Sequence, residues 1–295
     1  MDGETISPAN LWRSRRTARE VRSWLGADPR RVFHGHSRAG LLVGLWLDAW
    51  GERRCVVSVH CYGRRRWFYR WASRRLGDRL FWLSPAMRTY YRASGTGWAG
   101  CIPGGVPRRF LDLKPAAPQA DKLRLGGIGS RVRWKRWELV PAALRALDAP
   151  GVTFEQIGDE PDADYGRELR SCGVPGVRWS PAEPDSRHLL GRIDLLVCPS
   201  HREPFSMAMQ EALASGVPVL AAASGGSLDL IAPGVNGWLF ADGSAEALTG
   251  RLAELVATRA WEDLDRRAVR KSAWDAARVA EQWSRVYARL RTSAC

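Results

Sequence analysis

Short apolar runs alternate with amphipathic segments along most of the 295-residue chain, and this alternation limits the fold more than any other feature. Apolar runs of about four to eight residues fit buried strands, whereas apolar residues recurring every three or four positions fit helices. Strands that alternate with helices pair in parallel, because each helix returns the chain to the same end of the sheet. The sequence therefore predicts an α/β protein with parallel, doubly wound sheets.

The pattern predicts the following elements. In the first part, helices are expected near 10–25, 39–50, 64–77 and 85–93, and strands at 31–37, 55–60 and 79–84. In the second part, strands are expected at 122–129, 152–158, 194–200 and 217–222, with helices at 135–147, 164–173, 206–216 and 274–290. The second part thus has the element order of a doubly wound domain.

A segment rich in proline and alanine, 112–121, lies between the two patterned parts and is typical of a linker. A chain of this length has room for about two domains. We expect an N-terminal domain over 1–117, a second domain over 118–275 and a C-terminal helix over 276–295.

Positive charge is concentrated in the first of these regions. The chain has 45 Lys and Arg against 31 Asp and Glu, a formal net charge of +14, and residues 1–117 hold 22 of the basic and 8 of the acidic residues. This excess of positive charge predicts an anionic partner. Nucleic acid, anionic lipid and a phosphorylated substrate are all compatible with it.

Cysteine spacing and hydropathy exclude several classes of protein. The six cysteines form no C-x-x-C pair and no metal-ligand spacing with the five histidines, so we expect reduced thiols, a cytosolic protein and no bound metal. The sequence has no apolar run of about 18 residues and no signal-peptide pattern, which predicts a soluble or peripheral protein. The segment GGIGS at 126–130 lacks the third glycine of the G-x-G-x-x-G dinucleotide fingerprint, so no nicotinamide cofactor is expected.

Residues 194–240 concentrate the groups that could carry chemistry. An apolar strand leads to a loop with Glu203, and a helix beginning near Ser206 carries Glu211 about two turns from that loop. Ligands of open α/β sheets bind at the carboxyl ends of strands, where helix N-termini present amide groups that suit phosphate. The two carboxylates could hold hydroxyl groups of one elongated ligand.

Taken together, these motifs resemble the donor-site signature of family 4 of the retaining glycosyltransferases, whose GT-B fold has two Rossmann-like domains. The signature consists of Glu203-Pro204-Phe205, Glu211-Ala212, Gly216-Val217-Pro218-Val219, Gly225-Gly226 and Asn236-Gly237. Weaker likeness extends to HGHSRAG, VSVHCYG, IPGGVP and VRWKRWELV. The resemblance implies transfer of a sugar from a nucleotide diphosphate sugar to an acceptor hydroxyl, with retention and without a metal or cofactor.

The resemblance also implies roles for individual residues. Glu203 would contact hydroxyls of the transferred sugar, and Glu211 would hold the ribose hydroxyls. Backbone amides of Phe205, Ser206 and Met207 would meet the diphosphate.

Further donor contacts are implied on neighbouring loops. Lys135 matches a family lysine that binds the diphosphate; the family arginine five residues before it is replaced by Ser130, with Arg131 one place further on. Gly225 and Gly226 begin a family motif in which Asp229 stands where glutamate is usual.

The N-terminal domain would form the acceptor side. His60 matches a family histidine placed near the reacting sugar, which implies a catalytic role, and His34 and His36 match a strand end that commonly contains histidine. The family's first βαβ units have no counterpart before Arg31, so we expect a truncated N-terminal domain. A non-catalytic or partner-dependent nucleotide-sugar-binding subunit is therefore the alternative, which the Glu203 and Glu211 pair opposes.

The segment 64–82 interleaves arginines with aromatic residues, as in helices that lie on anionic lipid. A solvated basic face above buried aromatics is an equal alternative. The expected acceptor is a glycan or lipid-linked molecule, in cell-surface glycan or glycolipid synthesis on the cytoplasmic face of the membrane. No nucleic-acid partner is expected, because the sequence has no nucleic-acid-binding motif.

Overall fold

The computed structural model describes residues 7–119 and 122–292, and it has an α/β fold with two parallel sheets, which confirms the predicted fold class. Backbone contacts divide these residues into two compact units: unit 1 comprises 7–104 with 277–292, and unit 2 comprises 105–276. The division falls within the glycine turn of IPGGVP, and the domain boundary predicted at 117 stays a prediction. The last two residues of the predicted linker, the N-terminal six residues and Cys295 lie outside the described residues.

The helices and strands are numbered in chain order. The strands are β1 (Phe33–Gly35), β2 (Cys55–Val59), β3 (Leu80–Trp82), β4 (Leu123–Ile128), β5 (Val152–Ile157), β6 (Val177–Ser180), β7 (Leu195–Cys198), β8 (Val219–Ala222) and β9 (Gly237–Phe240). The helices are α1 (Pro8–Gly26), α2 (Arg38–Ala49), α3 (Arg66–Leu76), α4 (Pro85–Tyr90), α5 (Leu139–Leu147), α6 (Ala163–Arg170), α7 (Arg187–Leu190), α8 (Met207–Ala214), α9 (Ser227–Leu230), α10 (Ala245–Thr258), α11 (Arg266–Lys271) and α12 (Ala276–Thr292).

Unit 1 contains a three-stranded parallel sheet in the order β1-β2-β3. Every residue of β2 is buried, as its run of apolar residues predicts. The α1 and α2 helices pack together on the sheet through an apolar cluster that includes Leu25, Val43 and Leu47. The aromatic face of α12 lies against the sheet, where the Trp283 ring is 5.1 Å from that of Phe81.

Unit 2 contains a six-stranded parallel sheet in the order β6-β5-β4-β7-β8-β9. This is the order of a doubly wound nucleotide-binding domain, and the direction of winding reverses between β4 and β7. Leu125 of β4 pairs with Leu195 of β7, and both side chains are buried in the core of the unit. The loops that follow these two strands therefore lie together at the carboxyl end of the sheet.

The α5 helix begins at Leu139, so its predicted start at Lys135 was wrong. A short 3-10 turn, Arg133–Lys135, comes first, and Arg136 then adopts a left-handed backbone conformation with φ of 53°. A left-handed residue cannot continue a right-handed helix. Lys135 consequently lies at the end of this 3-10 turn, in the loop between β4 and α5, and not on α5 itself.

Several elements of unit 2 were not predicted from the sequence. The strands β6 and β9 have only four residues each. Most of β6 is partly exposed at the edge of the sheet, so it carries no buried apolar run, and β9 begins with a glycine. The α10 helix lies between the strand predicted at 217–222 and the helix predicted at 274–290, where no helix over these residues was predicted.

Candidate active site

Lys135 and Glu203 meet at the carboxyl end of the unit 2 sheet. Lys135 follows β4 and Glu203 follows β7, and the Lys135 Nζ donates to Glu203 Oε2 at 2.6 Å. The side chains are 14% and 9% exposed, so solvent screens this ion pair only in part. Lys135 also lies 4.4 Å from the centre of the exposed Trp134 ring. Lys135 and Glu203, which are 68 positions apart in the sequence, thus form an ion pair where the winding of the sheet reverses.

Gly225 and Gly226 hold the Glu203 loop through backbone contacts. Gly226 N–H donates to the Glu203 carbonyl at 2.7 Å, and Glu203 and Gly225 form a parallel bridge. Gly225 has φ of +63°, and a Cβ on either glycine would overlap the backbone of Glu203 or Pro204. These positions need glycine for close packing against the backbone of the Glu203 loop, and their predicted contact with a donor stays a prediction.

The α8 helix begins at this loop. Ser206 is its N-cap, and the Ser206 hydroxyl accepts from the Met209 N–H. Phe205 is buried below the cap, whereas Met207 is exposed. The amides of the first helical turn have no partner within the helix, and the helix dipole makes this end attractive to anions. Phe205, Ser206 and Met207 thus lie together at one helix start, and their contact with a diphosphate stays a prediction.

Glu211 lies along α8 and is half-buried. Its Oε2 accepts a hydrogen bond from the Ser186 hydroxyl at 2.7 Å. Burial raises the pKa of Glu211 above its usual range, while the Ser186 hydrogen bond and the charge of Arg109 act in the opposite direction. Ser186 and Arg109 were not identified from the sequence, because neither belongs to a recognisable motif.

Arg131 is a buried structural residue in this structure. Its guanidinium donates to Gln156 Oε1 at 2.7 Å, to Glu160 Oε2 at 3.2 Å and to the Ser180 carbonyl. These partners lie on β5, on the loop after β5 and on β6. With its guanidinium engaged in this way, Arg131 stabilises the loops next to the sheet, and its predicted contact with a diphosphate stays a prediction.

His60 lies in unit 1, within a group of three histidines at the carboxyl ends of β1 and β2. His36 Nδ1 is 3.2 Å from His60 Nε2, and His34 contacts the Tyr287 hydroxyl at 2.7 Å and the Ser58 hydroxyl at 2.6 Å. Burial lowers the pKa of all three imidazoles, that of His34 to about 3, with the neighbouring histidines adding to the effect on His34 and His60. The group is therefore neutral at pH 7.

Within residues 7–119 and 122–292, no cluster of three or more His, Cys, Asp or Glu side chains is arranged to hold a metal ion. Asp162 caps α6 by accepting from the Tyr165 N–H at 3.0 Å. Asp164 pairs with Arg167 on the surface of the same helix. Asp162 also lies 3.7 Å from Arg133 Nε, so each of the two carboxylates is paired with an arginine.

A doubly wound sheet with an ion pair and a helix N-terminus where its winding reverses is typical of nucleotide-binding α/β proteins. The chain matches the family model of the glycosyl transferases group 1 over residues 113–273. Because the match covers more than half of the chain, the protein belongs to this family.

Curated relatives match over parts of their length. A GDP-mannose-dependent alpha-mannosyltransferase of Corynebacterium glutamicum is 39% identical over 83 residues, which are 28% of this chain and 20% of the relative. The sulfoquinovosyl transferase SQD2 of Arabidopsis thaliana is 30% identical over 169 residues, 55% of this chain and 31% of the relative. The matched segments thus span only a fifth to a third of these relatives.

Solved structures show the same fold over most of the chain. Alr3699/HepE of Anabaena, in complex with UDP and glucose, has a TM-score of 0.72 at 21% identity, covering 86% of this chain and 77% of that one. Sucrose-phosphate synthase from Thermosynechococcus elongatus has a TM-score of 0.74 at 20% identity, covering 94% and 78%. The likeness confirms the predicted GT-B fold, while truncation of its N-terminal domain stays a prediction.

Proposed function

We propose that the protein transfers a sugar from a nucleotide diphosphate sugar to an acceptor hydroxyl, with retention at the anomeric carbon and without a metal. The observation that carries the proposal is the Lys135–Glu203 pair, which lies at the reversal point of the unit 2 sheet beside the start of α8. A cation and a helix N-terminus suit the diphosphate, and a carboxylate suits sugar hydroxyls.

In this proposal the donor lies along α8. The diphosphate accepts hydrogen bonds from the amides of Phe205, Ser206 and Met207, and Glu211 accepts from the ribose hydroxyls. Ser186 donates to Glu211 Oε2 and orients that carboxylate. Mannosyl and sulfoquinovosyl transfer in the relatives, and UDP in the HepE complex, support a nucleotide sugar as donor.

Breaking the glycosidic bond to the diphosphate leaves an oxocarbenium-like sugar and places negative charge on the leaving group. Lys135 and the helix amides stabilise that charge as it develops, which is the interaction that speeds the reaction most directly. Because Lys135 donates to Glu203 in this structure, an arriving diphosphate competes with Glu203 for the ammonium group. His60, assigned to the acceptor side by the family resemblance, is neutral at pH 7 and able to accept a proton.

Calorimetric titration with UDP-, GDP- and ADP-sugars tests the proposal. We expect the wild type to bind sugars of one base and Glu211→Ala to lose at least tenfold in affinity, since an acceptor for the ribose hydroxyls is gone. Glu254→Ala is the matched control, because Glu254 pairs with Arg251 on the exposed surface of α10. Binding with no sugar transfer would identify the alternative, a nucleotide-sugar-binding subunit, and no binding of any base would refute both.

We also propose that the enzyme works at the cytoplasmic face of an anionic membrane, on a glycan or lipid-linked acceptor of cell-surface glycan or glycolipid synthesis. The α3 helix supports this proposal through a surface that we call the α3 outer face, formed by Trp67, Arg70, Trp71 and Arg74. Trp67 and Trp71 are 68% and 50% exposed and one helical turn apart, and α3 contains no acidic residue. Exposed aromatics flanked by arginines are typical of helices that lie in the headgroup region. In the described parts of the chain, no helix is both long and apolar enough to cross a bilayer.

Liposome sedimentation with and without anionic lipid tests the membrane proposal. The wild type should sediment with anionic vesicles, and Trp67→Ser with Trp71→Ser should release it. Trp12→Ser is the control, since Trp12 is 66% exposed on the basic helix α1. Equal loss in Trp12→Ser, or no binding to either vesicle, would contradict the assignment to α3.

A further inference from the structure

The loop after β9 contacts both loops of the candidate site through one carboxylate. Asp242 Oδ1 accepts from Arg136 Nη1 at 3.1 Å, and Asp242 Oδ2 lies 2.5 Å from His201 Nδ1. Arg136 directly follows Lys135, and His201 lies two positions before Glu203. Asp242 thus joins the chain segments that carry the two charged groups of the site.

The backbone around Asp242 fits this junction. The His201 N–H donates to the Trp134 carbonyl at 2.9 Å, so the two loops are also hydrogen-bonded to each other directly. Arg136 has the left-handed φ of 53° and Gly243 is next to its guanidinium, where a Cβ would overlap it. A left-handed conformation is unfavourable in a non-glycine residue and persists where surrounding contacts hold it.

The three side chains of this junction are partly buried. Asp242 is 23% exposed, Arg136 29% and His201 33%. Their interactions are therefore less screened than those of surface pairs. If either loop moved, the Asp242 carboxylate would lose its hydrogen bond to Arg136 or to His201. The junction therefore favours one distance between the loop of Lys135 and the loop of Glu203.

We propose that Asp242 is a positioning residue that holds Lys135 and Glu203 at the spacing that the donor diphosphate and its sugar require. This inference rests on the proposed function of the same site. Asp242 touches neither charged group itself and acts through Arg136 and His201. Without it, a donor would have to order both loops as it binds, and that ordering would weaken its affinity.

Calorimetric titration with UDP-, GDP- and ADP-sugars, with thermal unfolding measured in parallel, tests the inference. Asp242→Ala should bind the accepted donor at least tenfold more weakly than the wild type, as expected for lost hydrogen bonds to charged groups. Asp242→Asn keeps an acceptor for Arg136 and should fall between the two. Asp164→Ala, which removes an exposed ion-paired carboxylate of the same unit, should bind like the wild type.

A double-mutant cycle separates positioning from general destabilisation. Because Asp242 acts through the loop of Lys135, Asp242→Ala should weaken binding far less in a Lys135→Ala background than in the wild type. Additive losses would overturn the inference, as would unchanged or tighter binding by folded Asp242→Ala. If Asp242→Ala fails to fold, Asp242→Asn carries the same cycle. Donor binding by the wild type with no effect of Asp242 leaves the proposed function standing, whereas no binding by the wild type overturns both.

Discussion

The two units carry opposite electrostatic arrangements at the same place in their folds, the carboxyl ends of parallel strands. In unit 1, β1 and β2 lead to His34, His36 and His60, and burial lowers the pKa of each so that the group is uncharged at pH 7. In unit 2, β4 and β7 lead to the Lys135–Glu203 ion pair. The parallel sheet thus fixes where these side chains gather, whereas the loops decide their chemistry: neutral imidazoles in unit 1 and an ion pair in unit 2.

Each unit also contains a buried carboxylate that joins elements of its core. Asp194 is fully buried and pairs with Arg124 at 2.7 Å, which links β7 to β4 beneath the site. Asp48 is 4% exposed and pairs with Arg79, which links α2 to the residue before β3. These pairs allow each unit to be weakened separately.

The largest expected effect is on stability. Asp194→Ala leaves Arg124 without its carboxylate partner and should destabilise unit 2 by about 3–5 kcal/mol. Asp48→Ala should destabilise unit 1 by a similar amount. Calorimetric unfolding with and without the donor checks the comparison, because donor should stabilise only unit 2. A loss below about 1 kcal/mol in Asp194→Ala would show that the pair does not hold the sheet.

A smaller effect is expected on the stability of unit 1 at acidic pH. The pKa of His34 is lowered to about 3 in the folded state, against an ordinary value of 6.5. The unfolded chain therefore binds more protons between these values, and stability falls as pH falls below about 6.5. Partial exposure of the ring reduces the expected loss to about 1–2 kcal/mol. Urea unfolding between pH 7 and 4 should show a shallower decline in His34→Asn than in the wild type, and equal slopes would contradict this account of unit 1.

The smallest effect has the opposite sign and belongs to unit 2. Burial raises the pKa of Glu211, so the folded state holds this proton more tightly than the unfolded state. The stability contributed by the protonated group is present below the unfolded pKa and is lost as pH rises through the raised pKa. The difference in unfolding free energy between Glu211→Gln and the wild type should grow from pH 4 to pH 7. A difference that is independent of pH would show that the carboxyl is not perturbed.

Most strands and helices of both units follow from apolar periodicity, because burial against a sheet requires it, whereas the short strands β6 and β9 do not. Glu203 and Glu211 were found through a local motif on one loop and one helix. Asp242 was not found, because its partners His201 and Arg136 are 41 and 106 positions away and only the sheet order brings them together. Arg131 is the opposite case. It was identified from its position near a motif, but its side chain is buried and bonded to β5, to the loop after β5 and to β6.

The most direct test of the assignment of the anion site to unit 2 is the affinity of Lys135→Met for UDP, GDP and ADP, measured beside Lys122→Met. Lys122 lies at the amino end of β4, and Lys135 follows its carboxyl end, so the two variants remove the same charge at opposite ends of one strand. Lys135→Met should lose at least tenfold in affinity for the preferred nucleotide while Lys122→Met binds like the wild type. Equal affinities in the two variants would contradict the assignment.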